Sequence, residues 1–220
     1  MVKIERTPIP PRSLAIESQK ANGNYSERDV IEQLQKDFHD KCYICELKYL
    51  TDVQVEHLRP HHNRRLKERV FDWNNLFYSC LHCNSIKNNQ KYDDKILDCC
   101  TVDPESLLKQ ICTEGNVTVQ PLNDSADEKV QMTADLIQSC FEKDNTGIRT
   151  IQCEARVEQL AITMNSLYKA LEQYKKDNTS RKYLRALRGM LNREYKFAAF
   201  TRYYVRSHLV DYPELQEFLS

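Results

Sequence analysis

Four cysteines, one histidine and two asparagines carry the chemistry that this sequence offers. They lie between residues 42 and 87, as Cys42-Tyr43-Ile44-Cys45, Glu56-His57-Leu58-Arg59-Pro60, Asn74-Asn75-Leu76 and Cys80-Leu81-His82-Cys83-Asn84, with Lys87 one helical turn further on. Each Cys-x-x-Cys is a knuckle whose two thiolates reach one ion, and two knuckles supply the four soft ligands that suit tetrahedral Zn²⁺. The interval between them is too long for a compact zinc ribbon and must hold structure of its own. Inside it lie residues suited to phosphodiester hydrolysis, which needs a base for water, a counter-charge for the phosphate and help for the leaving oxygen. His57 is the candidate base, because imidazole titrates near neutral pH. Glu56 and Asn84 offer the oxygen donors that a hard Mg²⁺ or Mn²⁺ requires. Asn75 suits an orienting role, pinning the loop that positions the base; a plain turn asparagine is the alternative.

These residues must be held by local elements. Val30, Ile31, Leu34 and Phe38 recur at helical spacing and predict a short helix over about 27–38, with Ser26 and Asp29 resembling a capping box. Residues 1–25, with Pro8, Pro10 and Pro11, are expected to be extended. Asp52 to Leu58 alternates as a strand, which puts Glu56 and His57 on opposite faces unless the strand ends or bends there. Leu76-Phe77-Tyr78 reads as a second strand, followed by a helix from about Cys83 to Gln90. The expected class is therefore α+β: a zinc-stapled ββα-metal domain followed by an α-helical region.

Glu56-His57-x-x-Pro60, Asn75-Leu76 and Cys80-x-x-Cys83-Asn84-x-x-Lys87 resemble the zinc-stapled HNH endonucleases. Lys41-Cys42-Tyr43-Ile44-Cys45-Glu46, Val55 to Pro60, Trp73-Asn74-Asn75-Leu76, the start Lys3-Ile4-Glu5-Arg6 and a hairpin around Gly115 narrow this to the PtuB-like HNH subunits of Septu-type and retron-associated anti-phage systems. The resemblance covers residues 1 to about 122 well and the remainder loosely. It implies a nuclease with His57 as general base and Glu56 and Asn84 as ligands of the catalytic ion. It further implies a PtuA-like, ABC/SMC-type ATPase partner and, in the retron-associated branch, a reverse transcriptase with its nucleic acid. Glu56 stands where an aspartate is commoner. The competing class is a catalytically inert zinc-binding adaptor that links nucleic acid to the ATPase.

The rest of the chain sets bounds. Lys plus Arg and Asp plus Glu balance at 32 each, so any grip on nucleic acid, DNA being favoured, comes from local patches. One patch is the loop Arg59 to Arg69, where Arg59, His61, Arg64 and Arg65, with Lys87 nearby, are candidate phosphate contacts. His61, His62 and His82 read as solvated rather than catalytic, with a share in substrate or metal contacts the alternative for His61 and His62. Leu107 to Gln120 reads as a hairpin with Gly115 in the turn. A boundary near 121–125 divides a nuclease domain, 1–122, from a helical domain, 123–220. Ser180 opens a predicted long helix running to Leu209, on which Arg181, Arg185, Arg188, Asn192, Lys196 and Arg206 form a stripe. From Ala170 to Leu209, ten Lys or Arg face three Asp or Glu; nucleic acid, a docked partner and ordinary solvent are the open readings of that excess. No apolar run is of membrane-spanning length. Nine cysteines without a secretory signal predict a reducing, cytoplasmic setting, with Cys99, Cys100, Cys112, Cys140 and Cys153 as free thiols.

Overall fold

The computed structural model describes residues 1–142 and 147–220. Its architecture is mixed α+β, with two antiparallel two-stranded sheets among the described residues. No helix among them is long and apolar enough to cross a membrane.

The N-terminal segment differs from the expected extended arm. Met1, Val2 and Ile4 are buried, and the Ile4 N–H donates to the Cys99 carbonyl at 2.9 Å. The prolines do not block helix α1 (Arg12–Glu17) but precede it, and Pro11 sits at its N-cap. A proline there loses no helical hydrogen bond. Helix α2 (Arg28–Asp37) lies where the periodicity places it, burying Val30 and Leu34. Its N-cap is Glu27 rather than Ser26. Asp29 instead accepts from the Ser13 hydroxyl at 2.6 Å, tying α1 to α2 in place of a capping box.

The first Cys-x-x-Cys follows, then β1 (Val53–His57), the short helix α3 (Lys67–Val70), β2 (Leu76–Cys80) and α4 (Leu81–Lys87). Strands β1 and β2 pair antiparallel, with Glu56 opposite Phe77 and His57 opposite Leu76. Helix α4 begins two residues before the expected start, because Cys80 is at once the last residue of β2 and the N-cap of α4. That abrupt change of direction presents Cys80 and Cys83 together.

Strands β3 (Leu108–Thr113) and β4 (Asn116–Pro121) form the expected hairpin. Its turn residues Glu114 and Gly115 both have positive φ, 52° and 79°, as a two-residue type I′ turn requires. Helix α5 (Glu128–Ser139) is capped by the Asp127 carboxylate on the Val130 N–H at 3.0 Å, and α6 runs Gly147–Lys176.

The long last helix is instead two helices, α7 (Arg181–Met190) and α8 (Ala198–Ser207). Tertiary bonds account for the break. The Arg193 guanidinium reaches Asp103 and Glu105 at 2.7 and 2.8 Å, and the Ala199 N–H donates to the Glu46 carboxylate at 2.9 Å. The proposed basic stripe is cut accordingly, and Arg206 pairs with Glu105 at 3.1 Å. A single contiguous core runs from Met1 through Leu76 and Leu136 to Leu215, so segments on both sides of residue 122 share it.

Candidate active site and metal centre

Cys42, Cys45, Cys80 and Cys83 are all fully buried, and their sulfurs lie within 4.8 Å of one another. A tetrahedral ion with metal–sulfur bonds of about 2.3 Å needs sulfurs about 3.8 Å apart, so the four fit a structural metal such as zinc. Four thiolates around one divalent ion leave a net negative charge, and Arg156 of α6 answers it. Its Nη2–H donates to Cys80 Sγ at 3.3 Å and its Nη1–H to the Gln152 carbonyl at 2.8 Å. Burial alone would depress the guanidinium's pKa; the thiolates of Cys45, Cys83 and Cys80 reverse that and raise it. The helical half of the chain thus supports the metal centre. His82, expected in solvent, is buried beside it, with Nδ1 2.9 Å from the Gln152 amide oxygen and Nε2 3.2 Å from the Cys140 carbonyl. Cys99, Cys100, Cys112, Cys140 and Cys153 form no disulfide among the described residues, and the Cys153 sulfur lies 3.6 Å from His82 Nε2.

Cys80 pairs with Val53 at one end of the β1–β2 hairpin, and toward the His57 end lies a cleft of about 470 Å³ lined by Glu56, His57, His61, Asn84, Lys87 and Tyr25, among others. Glu56 and His57 are the last two residues of β1, and both line the cleft even though the strand continues through His57. His57 is 9% exposed. Its Nε2 is 3.0 Å from the Val70 carbonyl. A carbonyl only accepts, so neutral His57 carries its proton on Nε2 and holds a lone pair on Nδ1. Burial lowers its pKa to about 4, which keeps that lone pair free at neutral pH.

Asn75 supports this arrangement from behind the cleft. Its Oδ1 accepts the Arg59 N–H at 2.8 Å, and its Nδ2 donates to the Arg59 and Arg69 carbonyls, both at 2.9 Å. One side chain therefore clamps the two ends of the loop between the strands. The loop stores strain: His62, Asn63 and Arg64 have φ of 47°, 54° and 64°, a conformation that costs a non-glycine residue on the order of 1–3 kcal/mol and clusters at functional sites. Arg64 also donates to the Gly23 carbonyl at 2.7 Å. Gly23 cannot carry a side chain, since a Cβ there would stand 1.8 Å from the Glu17 carbonyl oxygen. This turn delivers Tyr25, whose ring meets His57 edge-on at 4.5 Å.

Glu56 and Lys87 are paired with each other, which their spacing in the sequence does not show. Glu56 is 5% exposed and both its oxygens are engaged, Oε1 by the Lys87 ammonium at 2.6 Å and Oε2 by the Tyr43 hydroxyl at 2.7 Å. Burial raises its pKa, and Lys87 opposes the rise. Lys87 also donates to the His57 carbonyl at 3.0 Å. The two form a buried internal pair. Asn84 lines the same cleft, and its amide has no hydrogen-bond partner among the described residues.

Of the other expected nucleic-acid contacts, Arg59 and Arg65 are exposed on the loop. Arg181, Arg185 and Arg188 are exposed on α7, away from the cleft lining. Arg188 lies over the Phe218 ring at 4.9 Å. Sequence reasoning missed Tyr25, Tyr43 and Arg156. Tyr43 sits between two ligand cysteines, and Arg156 interrupts an apolar helical stripe, which is a readable sign of a buried cation; nothing marks Tyr25. No protein-family model matches the chain, and no curated protein matches it either.

Proposed function

We propose that the chain is a metal-dependent endonuclease of the HNH type, hydrolysing phosphodiester bonds of nucleic acid, most simply DNA. The observation that carries this reading is His57: a buried imidazole at a strand end, neutral at pH 7, locked through Nε2 by the Val70 carbonyl, in the lining of a polar cleft. A structural histidine has no need of a clamped and strained loop to hold it so. The hairpin β1–β2 followed at once by α4 supports the ββα-metal assignment, and the cysteine tetrad supports zinc as its staple.

In this reading His57 Nδ1 takes the proton of an attacking water. Asn75 fixes the loop and, through it, the tautomer. Lys87 cancels the Glu56 charge beneath the base, so that no buried carboxylate repels a phosphate. Arg59 and Arg65 hold neighbouring phosphates. Asn84, in the cleft lining, offers an oxygen donor suited to a Mg²⁺ or Mn²⁺ ion. Such an ion, when bound, neutralises charge on the phosphate. The ATPase partner, the defence setting and any retron component rest on the sequence resemblance, and the exposed arginines of α7 are the surface we assign to phosphates or to that partner.

One observation favours the inert-adaptor reading: with both Glu56 oxygens engaged, the cleft offers the ion fewer carboxylate ligands than the motif implies. Metal dependence separates the two. Protein that retains its cysteine-bound metal should nick plasmid DNA on addition of Mg²⁺ or Mn²⁺ and stop on addition of EDTA. Absence of nicking in either ion, with intact binding of DNA, would favour the adaptor.

A further inference from the structure

His61 lies four residues beyond the base in the cleft wall, where its ring meets that of His57 edge-on, with centroids 4.5 Å apart and planes at 79°. Its Nδ1 accepts the backbone N–H of Arg64 at 2.9 Å. A nitrogen that accepts carries no proton, so neutral His61 is protonated on Nε2. This is the same Nε2–H tautomer as His57 but used the other way round: His57 spends its Nε2–H on Val70 and keeps Nδ1 open, whereas His61 spends Nδ1 on Arg64 and keeps its Nε2–H. Both locks are backbone groups. The His61 lock depends on the unusual stretch His62-Asn63-Arg64, whose three left-handed residues turn the Arg64 N–H back onto the ring. The Nε2–H itself has no acceptor among the described residues, in a cleft that His61 lines. The neighbouring imidazoles therefore differ in kind: one offers a lone pair and the other an N–H.

Resting on the nuclease reading above, we propose that His61 is a second catalytic residue, a neutral hydrogen-bond donor whose Nε2–H binds a non-bridging oxygen of the scissile phosphate as charge builds there. A neutral imidazole suits this role, because it polarises an oxygen without giving up its proton. No proton moves at His61: the attacking water loses its proton to His57 Nδ1, and the strained loop keeps the donor in place before substrate arrives. Tyr25, 6.2 Å from His61 and 4.5 Å from His57 between ring centroids, walls the pair. The loop geometry gives a reason for the strain that phosphate-binding by arginines alone does not.

The test compares single-turnover cleavage at saturating plasmid DNA in Mg²⁺ for wild type, His61→Phe, His61→Ala and His61→Gln, each checked for metal content and circular dichroism. Phe keeps the edge-on ring but has no N–H; Gln restores a donor. The expected result is a loss of about 10²- to 10³-fold in Phe and Ala alike, with Gln recovering at least tenfold of it and DNA affinity changing little. One diastereomer of a phosphorothioate at the scissile position should slow wild type and not further slow His61→Phe. If wild type cleaves and His61→Phe stays within threefold of it, the assignment is overturned and the nuclease reading stands. If Ala alone is impaired, His61 only packs against His57. If wild type cleaves with no divalent ion, both proposals fall together.

Discussion

Asn75 and His57 are joined through two successive peptide units. The Asn75 amide donates to the Arg69 carbonyl at 2.9 Å, and the next carbonyl along, that of Val70, lies 3.0 Å from His57 Nε2. The asparagine never enters the cleft, yet it sets the carbonyl that selects the tautomer of the base. Asn75→Ala should leave buried backbone groups unpaired, costing about 1–3 kcal/mol of stability. It should slow cleavage by about 10²-fold through a displaced base. Thermal denaturation and single-turnover rates check both; near-wild-type values in both would break the link.

The metal centre gives a prediction that separates ligands from support. Cys83→Ser should lose the tetrad's metal and unfold the surrounding half, because metal binding and folding are coupled. Arg156→Met should keep the fold while weakening metal retention by about 10- to 100-fold, the usual effect of removing an outer partner of a ligand. Chelator competition read by elemental analysis measures this. Unchanged retention in Arg156→Met would show that the 3.3 Å contact to Cys80 carries no weight.

The Glu56–Lys87 pair makes a third case. Breaking a buried ion pair from one side leaves an uncompensated charge, at a cost of about 3–5 kcal/mol, whereas replacing both partners costs far less. Lys87→Met alone should therefore destabilise more than Lys87→Met combined with Glu56→Gln. Chemical denaturation of both single variants and the double variant closes the cycle. Were Glu56 a ligand of the catalytic ion instead, Glu56→Gln would shift the Mn²⁺ requirement and leave stability alone.

Much of the site was legible because soft-ligand spacing and strand alternation are local signals. The two knuckles, the hairpin β1–β2 and the turn at Glu114-Gly115 all follow from residues close in sequence. What was not legible depends on distant partners. Lys87 reads as a phosphate contact until Glu56 of β1 is seen 2.6 Å from it. His82 reads as solvated until α6 covers it. The break between α7 and α8 has no local cause, since Arg193 leaves the helix for Asp103 and Glu105, some ninety residues earlier in the chain. Tyr25 enters the cleft only because the prolines start a helix and Gly23 permits a tight turn.

Glu105 predicts the acid limb of stability. It is 6% exposed and receives Arg202 at 2.6 Å, Arg193 at 2.8 Å and Arg206 at 3.1 Å. Burial would raise its carboxyl, but Arg202 and its neighbours outweigh that and bring it below the ordinary 4.5. A carboxyl depressed in the folded state stabilises above its unfolded pKa and loses that contribution as the pH falls through the folded one. Wild type should thus lose stability as the pH drops below about 4.5, and Glu105→Gln should be weaker at pH 7 with a flatter acid limb. Parallel limbs in the two proteins would contradict the network.

The most direct measurement is cleavage by His57→Ala. Plasmid DNA is incubated with wild type or variant in Mg²⁺ and in Mn²⁺, with metal content and circular dichroism confirming that both proteins hold the cysteine-bound ion and the fold. The account predicts that wild type nicks the plasmid and that the variant is slower by about 10²- to 10⁴-fold, the usual cost of a lost general base, with DNA affinity retained. A variant that cleaves within a few-fold of wild type would contradict the central claim, because the base would then lie elsewhere.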